Sequence, residues 1–298
     1  MLTPLINAKN FTKQLGLDQP VYFKREDLHP YGSHKGRSIP LMIQKYASDG
    51  VRNFVISSSG NAALAAAMHI SEYNRKNSDK QLRLTIFVGE NIDDEKILKL
   101  RNFETAKLIT IVQTKNPKQK AFQMETSGQA KNLRQSTDDS ALIGYEDLAR
   151  ELGEIENISA IFIPTSSGTT AQGLYNGFQK LGIKPQIHIV QTSACHPIVD
   201  VIEKSEATRQ PLATTSIATA IVDKVAHRKN AVAEAVKNSL GFGWVATDAE
   251  ITRAMDLVKQ TENIDISPNS ALSVAGLIHS INVGWKFNSS IICLITGK

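Results

Sequence analysis

The chain has 298 residues, 41% of them hydrophobic and 21% charged, which suffices for one large or two medium cores and excludes an intrinsically disordered chain. Its 34 basic and 29 acidic residues leave a net charge of +5, scattered and without the basic, aromatic-interleaved stripe of a nucleic-acid binder. Cys195 and Cys293 stand far apart and form neither a disulfide framework nor a CxxC metal pattern. The opening MLTPLINAKNFTKQLG lacks the apolar core of a signal peptide, and the softest run, residues 62–70, is too short to cross a bilayer. A reduced, cytoplasmic protein is expected, with no metal, nucleic-acid or membrane partner.

In chain order, FKREDLHPYGSHKGR (23–37) opens like an amphipathic strand, turns on Pro30 and Gly32, and then presents Lys35. VRNFVIS (51–57), LRLTIFV (82–88), LITIV (108–112), AIFI (160–163), IHIVQ (187–191) and IICLI (291–295) are short, β-branched and bounded by polar or turn residues. They read as buried strands. Residues 62–74, 95–102, 145–152, 170–181, 231–238 and 249–260 carry helical spacing. Such alternation predicts parallel sheets covered by helices on both faces, with pockets at the carboxyl ends of the strands. The polar segment 116–140 reads as a mobile helix or a domain boundary.

Three strand ends carry chemistry. In SSSGNAALAAA (57–67) a strand runs into hydroxyls, a Gly and an Asn before an alanine-rich helix, which offers donors to a carboxylate or phosphate. In IPTSSGTTAQGL (163–174) five hydroxyls surround Gly168 at a helix start, an anion cradle but not a Walker loop, since no GK[ST] follows. In ICLITGK (292–298) a buried strand delivers Thr296. Taken singly, each is also readable as a plain helix cap or strand terminus. GFGWVA (241–246) imitates a dinucleotide fingerprint without a preceding strand, the adjacent Cys195 and His196 lack further metal partners, and no GxSxG elbow occurs.

In this order the pieces resemble the fold-type II pyridoxal-phosphate (PLP) enzymes, the group of threonine synthase, threonine dehydratase, cysteine synthase and the tryptophan synthase β chain. The resemblance covers nearly the whole chain. TPL (3–5) looks like the usual opening, KREDLHPYGSHKGR (24–37) like K-x-E-x-x-N-P-T-G-S-F-K-D-R, and SSSGN (57–61) like the S-[ST]-G-N substrate loop. TSSGTTAQG (165–173) looks like the phosphate loop, ISPNSALSVAGL (266–277) like the E-P-x-S-A-x-x-A-G-L helix, and LITG (294–297) like the terminal L-T-G. VQTSACHPIVD (190–200) and SIATAI (216–221) are most similar to threonine synthase. Ala62 and Ala63 stand where that branch has Thr, His34 and Gly36 where the motif has Phe and Asp, and Ser267 where it has Glu.

The resemblance implies two open, mostly parallel α/β domains with PLP in the cleft between them. The large domain would combine residues 1–40 with 141–298, and residues 41–140 would form the small one. Lys35 would form the Schiff base, with burial and neighbouring positive charge lowering its pKa, and would later act as base at the substrate α-carbon. The cofactor phosphate would meet Thr165, Ser166, Ser167, Gly168, Thr169 and Thr170, with His34 nearby. Asn61 would meet the ring hydroxyl, and Thr296 the pyridine nitrogen. Ser58, Ser59 and the backbone of Gly60, Asn61 and Ala62 would hold the substrate carboxylate. Lys24 and Arg37 are candidate partners for a phosphorylated substrate.

The activity implied is that of a threonine synthase-like lyase acting on an amino acid by α-proton abstraction and β/γ-elimination or replacement, as a homodimer. Alternatives are a threonine/serine dehydratase, a cysteine synthase-type β-replacement enzyme and, from another class, a non-catalytic PLP-binding or carrier protein.

Overall fold

The computed structural model describes residues 2–105, 107–203 and 213–297, and the chain divides into two compact units, Met1–His29 with Gly144–Lys298 and Pro30–Ile143. The larger unit begins with β1 (Leu5–Asn7), α1 (Lys9–Gln14) and β2 (Val21–Arg25). The smaller contains α2 (Lys35–Ser48), β3 (Asn53–Ser57), α3 (Asn61–Lys76), β4 (Arg83–Gly89), α4 (Asp94–Arg101), β5 (Ile109–Thr114), α5 (Pro117–Thr126) and β6 (Lys131–Asn132). Helix α6 (Ile143–Gly153) returns the chain to the larger unit. There β7 (Ile158–Pro164), α7 (Thr169–Leu181), β8 (Gln186–Thr192), α8 (Pro197–Ile202), α9 (Lys229–Asn238), β9 (Gly243–Ala246), α10 (Asp248–Glu262), α11 (Pro268–Asn282) and β10 (Ser290–Ile295) follow.

The larger unit is built on a six-stranded sheet of order β1-β2-β10-β7-β8-β9. All its pairings are parallel except β1 with β2. Successive strand residues feed opposite faces, as period-2 geometry requires. Ala160, Phe162, Ile291, Cys293 and Ile295 join one core with α1, α10 and α11. Ile161, Ile163, Ile292 and Leu294 join another with α6, α7, α8 and α9. Both faces are therefore covered, which is why these strands read as continuous apolar runs.

His188 sits within the first core, its ring stacked 4.5 Å from that of Phe162. Trp244 Nε1 donates to His188 Nδ1 at 3.1 Å, so the ring proton lies on Nε2, which donates to Gln186 Oε1 at 3.1 Å. Burial holds this imidazole neutral, with its pKa lowered from 6.5 to about 3.

The smaller unit is a four-stranded parallel sheet of order β5-β4-β3-β6. Phe54, Ile56, Leu84 and Ile86 pack on Ile39, Met42 and Ile43 of α2 and the alanine face of α3. Val55 and Phe87 cover the other face with Ala121 of α5. The segment 116–140 thus contributes a packed helix, opened by Pro117 at its first position. The sequence reading assigned residues 30–40 to the larger domain; the structure assigns them to the smaller unit, because Ile39, Met42 and Ile43 bury against β3. Lys35 goes with them.

GFGWVA turns out to contain β9, and its glycines answer to packing. A Cβ on Gly241 would fall 2.0 Å from the Ile187 carbonyl oxygen. Among the described residues no helix is long and apolar enough to cross a membrane. No group of three or more His, Cys, Asp or Glu side chains among them is placed to hold a metal.

Candidate active site

Lys35 opens α2, with His34 at the N-cap and no side chain capping that end. The turn before it needs Gly32 at φ +75° and is closed by the Lys35 amide donating to Ser33 Oγ at 3.3 Å. Further back, Tyr31 ties this approach to α3, its hydroxyl 3.0 Å from His69 Nδ1 and 3.3 Å from Glu72 Oε2. The Lys35 side chain is half-buried, and desolvation of its ammonium draws the pKa from 10.5 to about 8. The positive end of α2 is also an unfavourable place for a cation. At pH 7 about a tenth of such amines carry a free lone pair.

In the same unit, β3 ends at Ser57 and α3 starts at Asn61, with Gly60 as an N-cap that supplies no side chain. The Gly60 amide reaches back to Ser58 Oγ at 3.3 Å. Ser59 is exposed, while Ser58, Gly60, Asn61 and Ala62 are half-buried. An uncapped helix start lined by hydroxyls and an amide side chain suits a carboxylate.

In the larger unit, β7 and β10 are parallel neighbours with Cys293 opposite Phe162, so the turn after Pro164 and Thr296 both leave the sheet at its carboxyl edge. Thr165 frames the turn: its amide donates to Val190 O at 2.9 Å and its hydroxyl to Ile163 O at 2.8 Å. Ser166 Oγ accepts from the amides of Val222 and Asp223 at 3.2 and 3.3 Å, and Ser167 Oγ lies 3.0 Å from Thr169 Oγ1. Gly168 closes the turn at φ +90°.

The main-chain amides of Ser166, Ser167 and Gly168 donate to no acceptor among the described residues, and α7 begins immediately afterwards without a side-chain cap. Thr169 and Thr170 are buried in its first turn. A row of unspent amides running into a helix start fits a phosphate monoester in both charge and donor geometry.

Thr296 is buried beside α11. Ser270 Oγ lies 3.4 Å from Thr296 Oγ1 and accepts from the Gly297 amide at 3.1 Å, and Ser267 Oγ donates to Gly297 O at 2.5 Å. Ser267, standing where the motif has Glu, therefore caps α11 and fixes the end of β10.

Several sequence assignments change in the structure. Lys24 is not available to a substrate anion: it is buried, 2.7 Å from Glu151 Oε2 and 2.8 Å from Thr3 O. The rest of KRED is structural as well, with Arg25 in a two-pronged pair with Asp27 and Glu26 bonded to Thr3. Arg37 is buried in α2. His196, set aside as a metal ligand in the sequence, has Nδ1 2.9 Å from Asp200 Oδ1. Two residues next to the cradle escaped the sequence reading. Gln191 is fully buried under it, and Arg228, whose Cβ lies 3.4 Å from the place of a Gly168 Cβ, donates to Gln172 Oε1 at 2.9 Å. The signal for Gln191 was an amide at the carboxyl end of β8, where pockets of parallel sheets open.

Open parallel sheets with polar turns at their carboxyl ends are the architecture of cofactor-dependent α/β enzymes. The profile of one such family, described as pyridoxal-phosphate dependent enzyme, matches residues 2–297, and the chain belongs to that family. Threonine synthase of Mycobacterium bovis is 29% identical over 318 residues, covering 99% of this chain and 81% of the relative. Threonine synthase of Methanocaldococcus jannaschii is 25% identical over 323 residues, covering 99% and 74%. Among solved structures, a pyridoxal 5'-phosphate-dependent aspartate racemase superposes with a TM-score of 0.83 at 18% identity, covering 100% of this chain and 90% of that one. Maize serine racemase does so at 0.80 and 17%, covering 99% and 87%. At these identities the structural likeness establishes the fold, and the protein is a PLP-dependent α/β enzyme of the fold-type II class.

Proposed function

We propose that the protein is a threonine synthase-like lyase that removes the α-proton of an amino acid and expels or replaces a β or γ substituent. The observation that carries this reading is Lys35, an amine at the head of α2 whose pKa is drawn down to about 8. The curated threonine synthases, matched over 99% of this chain, support the choice of branch.

In this reading the smaller unit supplies Lys35, Asn61 and the 58–62 turn, and the larger unit supplies residues 165–170 and Thr296. PLP supplies an electron sink for the bond broken at the α-carbon. Lys35 anchors the cofactor through its neutral amine and, when free, takes the proton from the α-carbon. Ser58, Ser59 and the amides at the head of α3 orient the substrate carboxylate. The amides of residues 166–168 and the first turn of α7 would hold the phosphate. Thr296 offers the ring nitrogen a neutral hydroxyl and so leaves it largely unprotonated, which favours elimination and replacement over transamination.

O-Phosphohomoserine, giving threonine, is the first substrate proposed, followed by threonine or serine, giving a 2-oxo acid and ammonia, and then β-replacement on a serine derivative. A screen that reads phosphate, ammonia and 2-oxo acid together tests the order. Phosphate released with matching threonine is expected. Ammonia and 2-oxo acid would move the assignment to a dehydratase, and no product from any amino acid with PLP bound would overturn it. The same proposal includes a cytoplasmic homodimer, which light scattering checks against a monomer mass.

A further inference from the structure

Gln191 lies at the carboxyl end of β8 and is fully buried. Its Nε2 donates to the carbonyl of Thr165 at 3.2 Å, and its Oε1 accepts from the amides of Ile198 and Val199 at 2.9 and 3.1 Å. The orientation of the side-chain amide is fixed by these partners, since only its oxygen can face two N–H groups and only its nitrogen can face a carbonyl. Ile198 and Val199 belong to the first turn of α8, so the Gln191 oxygen closes that helix end to any anion. The start of α7 has no such stopper.

The other half of the side chain acts on the cradle itself. In a trans peptide C=O and N–H lie in one plane and point in opposite directions. With the Thr165 carbonyl drawn toward Gln191, the Ser166 amide must point the other way. The Thr165 amide and hydroxyl are held at Val190 and Ile163, which fixes the preceding peptide, and the Gln191 contact sets the orientation of the plane that follows. The amides of Ser166, Ser167 and Gly168 then remain a row of donors without an acceptor among the described residues.

We infer that Gln191 is a positioning residue for the cofactor phosphate: by holding the Thr165 carbonyl it aims the Ser166 amide into the row of donors that takes the phosphate oxygens. This rests on the phosphate reading under Proposed function. It assigns to a buried side chain, remote from the reacting atoms, control over one specific part of the cofactor.

The test compares PLP with pyridoxal, which lacks the phosphate, by titrating apo-protein of the wild type and of Gln191→Met, an apolar side chain of similar length. Wild type is expected to prefer PLP. In Gln191→Met the PLP affinity falls about tenfold or more, as for a misaligned charge-assisted hydrogen bond, while pyridoxal affinity is unchanged. A preference for PLP equal to that of wild type, or a parallel loss for both ligands, overturns the inference and leaves Gln191 a structural residue. A wild type that binds both ligands equally overturns the phosphate reading instead.

Should Gln191→Met not fold, Gln191→Glu serves. Its protonated carboxyl can donate to Thr165 O while accepting from the α8 amides; its ionised form can only accept. Burial raises such a carboxyl's pKa, so the preference for PLP, taken relative to wild type at each pH, is near normal at about pH 5.5 and falls as pH rises. A ratio to wild type that does not change with pH overturns the inference.

Discussion

A Cβ placed on Gly168 would lie 2.7 Å from Cγ2 of Val232, the α9 side chain that backs the turn. Since Gly168 also sits at φ +90°, two independent constraints exclude a side chain there. Gly168→Ala is expected to cost about 2–3 kcal/mol, combining left-handed strain with overpacking. Denaturant unfolding of the apo-protein measures it. The double variant with Val232→Ala recovers part of the clash and none of the strain, so the two costs are less than additive.

The Lys24–Glu151 pair is almost wholly withdrawn from solvent at 2.7 Å. Removing one partner strands the other, and Lys24→Met should destabilise the protein by about 3–5 kcal/mol. KM for a phosphorylated substrate should stay at the wild-type value in the folded fraction. A selective rise in that KM without loss of stability would restore Lys24 as a substrate ligand.

His188 links stability to pH with a definite sign. Its folded pKa of about 3 lies below the ordinary 6.5, so the unfolded chain binds the extra proton. The stabilisation is complete above pH 6.5 and is lost as pH falls toward 3, the loss reaching about 1.4 kcal/mol at pH 5.5. His69, also lowered by burial, contributes with the same sign. The difference in urea midpoint between wild type and His188→Gln, followed from pH 7 to 5.5, isolates the His188 share. Equal pH slopes in the two proteins would contradict it.

Lys35 carries a cost for being ready to react. Its ammonium is penalised in the folded chain, so stability rises between about pH 8 and pH 10.5 as the unfolded chain holds a proton the folded one has released. Because the side chain keeps some contact with solvent, the penalty at pH 7 is put at about 1–3 kcal/mol. Lys35→Met should abolish covalent capture of PLP by borohydride and raise the melting temperature of the apo-protein. A lower melting temperature would mean that the amine is held by favourable contacts.

Strands such as AIFI and IICLI were legible because both of their faces are buried and their apolar run is unbroken. Helix α2 was not, since Pro40, six residues in, looks like a stop signal. At that position the proline's missing N–H costs one hydrogen bond near the helix start. The cradle's residues were visible as hydroxyls around a glycine, but their division of labour was not. Ser166 spends its oxygen on amides 56 and 57 residues away, and Thr165 is held by a glutamine 26 residues away. Lys24 reads as a candidate substrate ligand in the sequence because its true partner, Glu151, is 127 residues distant. Pairings at such separations leave no periodicity in the sequence.

The strand order of the larger sheet has a consequence for the life of the chain before it is complete. β10 lies between β2 and β7, yet it is the last of the sheet's strands in sequence. During synthesis, β1 and β2 must wait as an antiparallel pair joined by α1, separate from β7, β8 and β9, while the whole of Pro30–Ile143 emerges and can settle on local contacts of its own. Only when residues 290–295 clear the ribosome can the two half-sheets be joined, and Thr296 arrives with them. The larger unit thus acquires its integrity and Thr296 in one late event, and until then the facing edges of β2 and β7 stay unpaired.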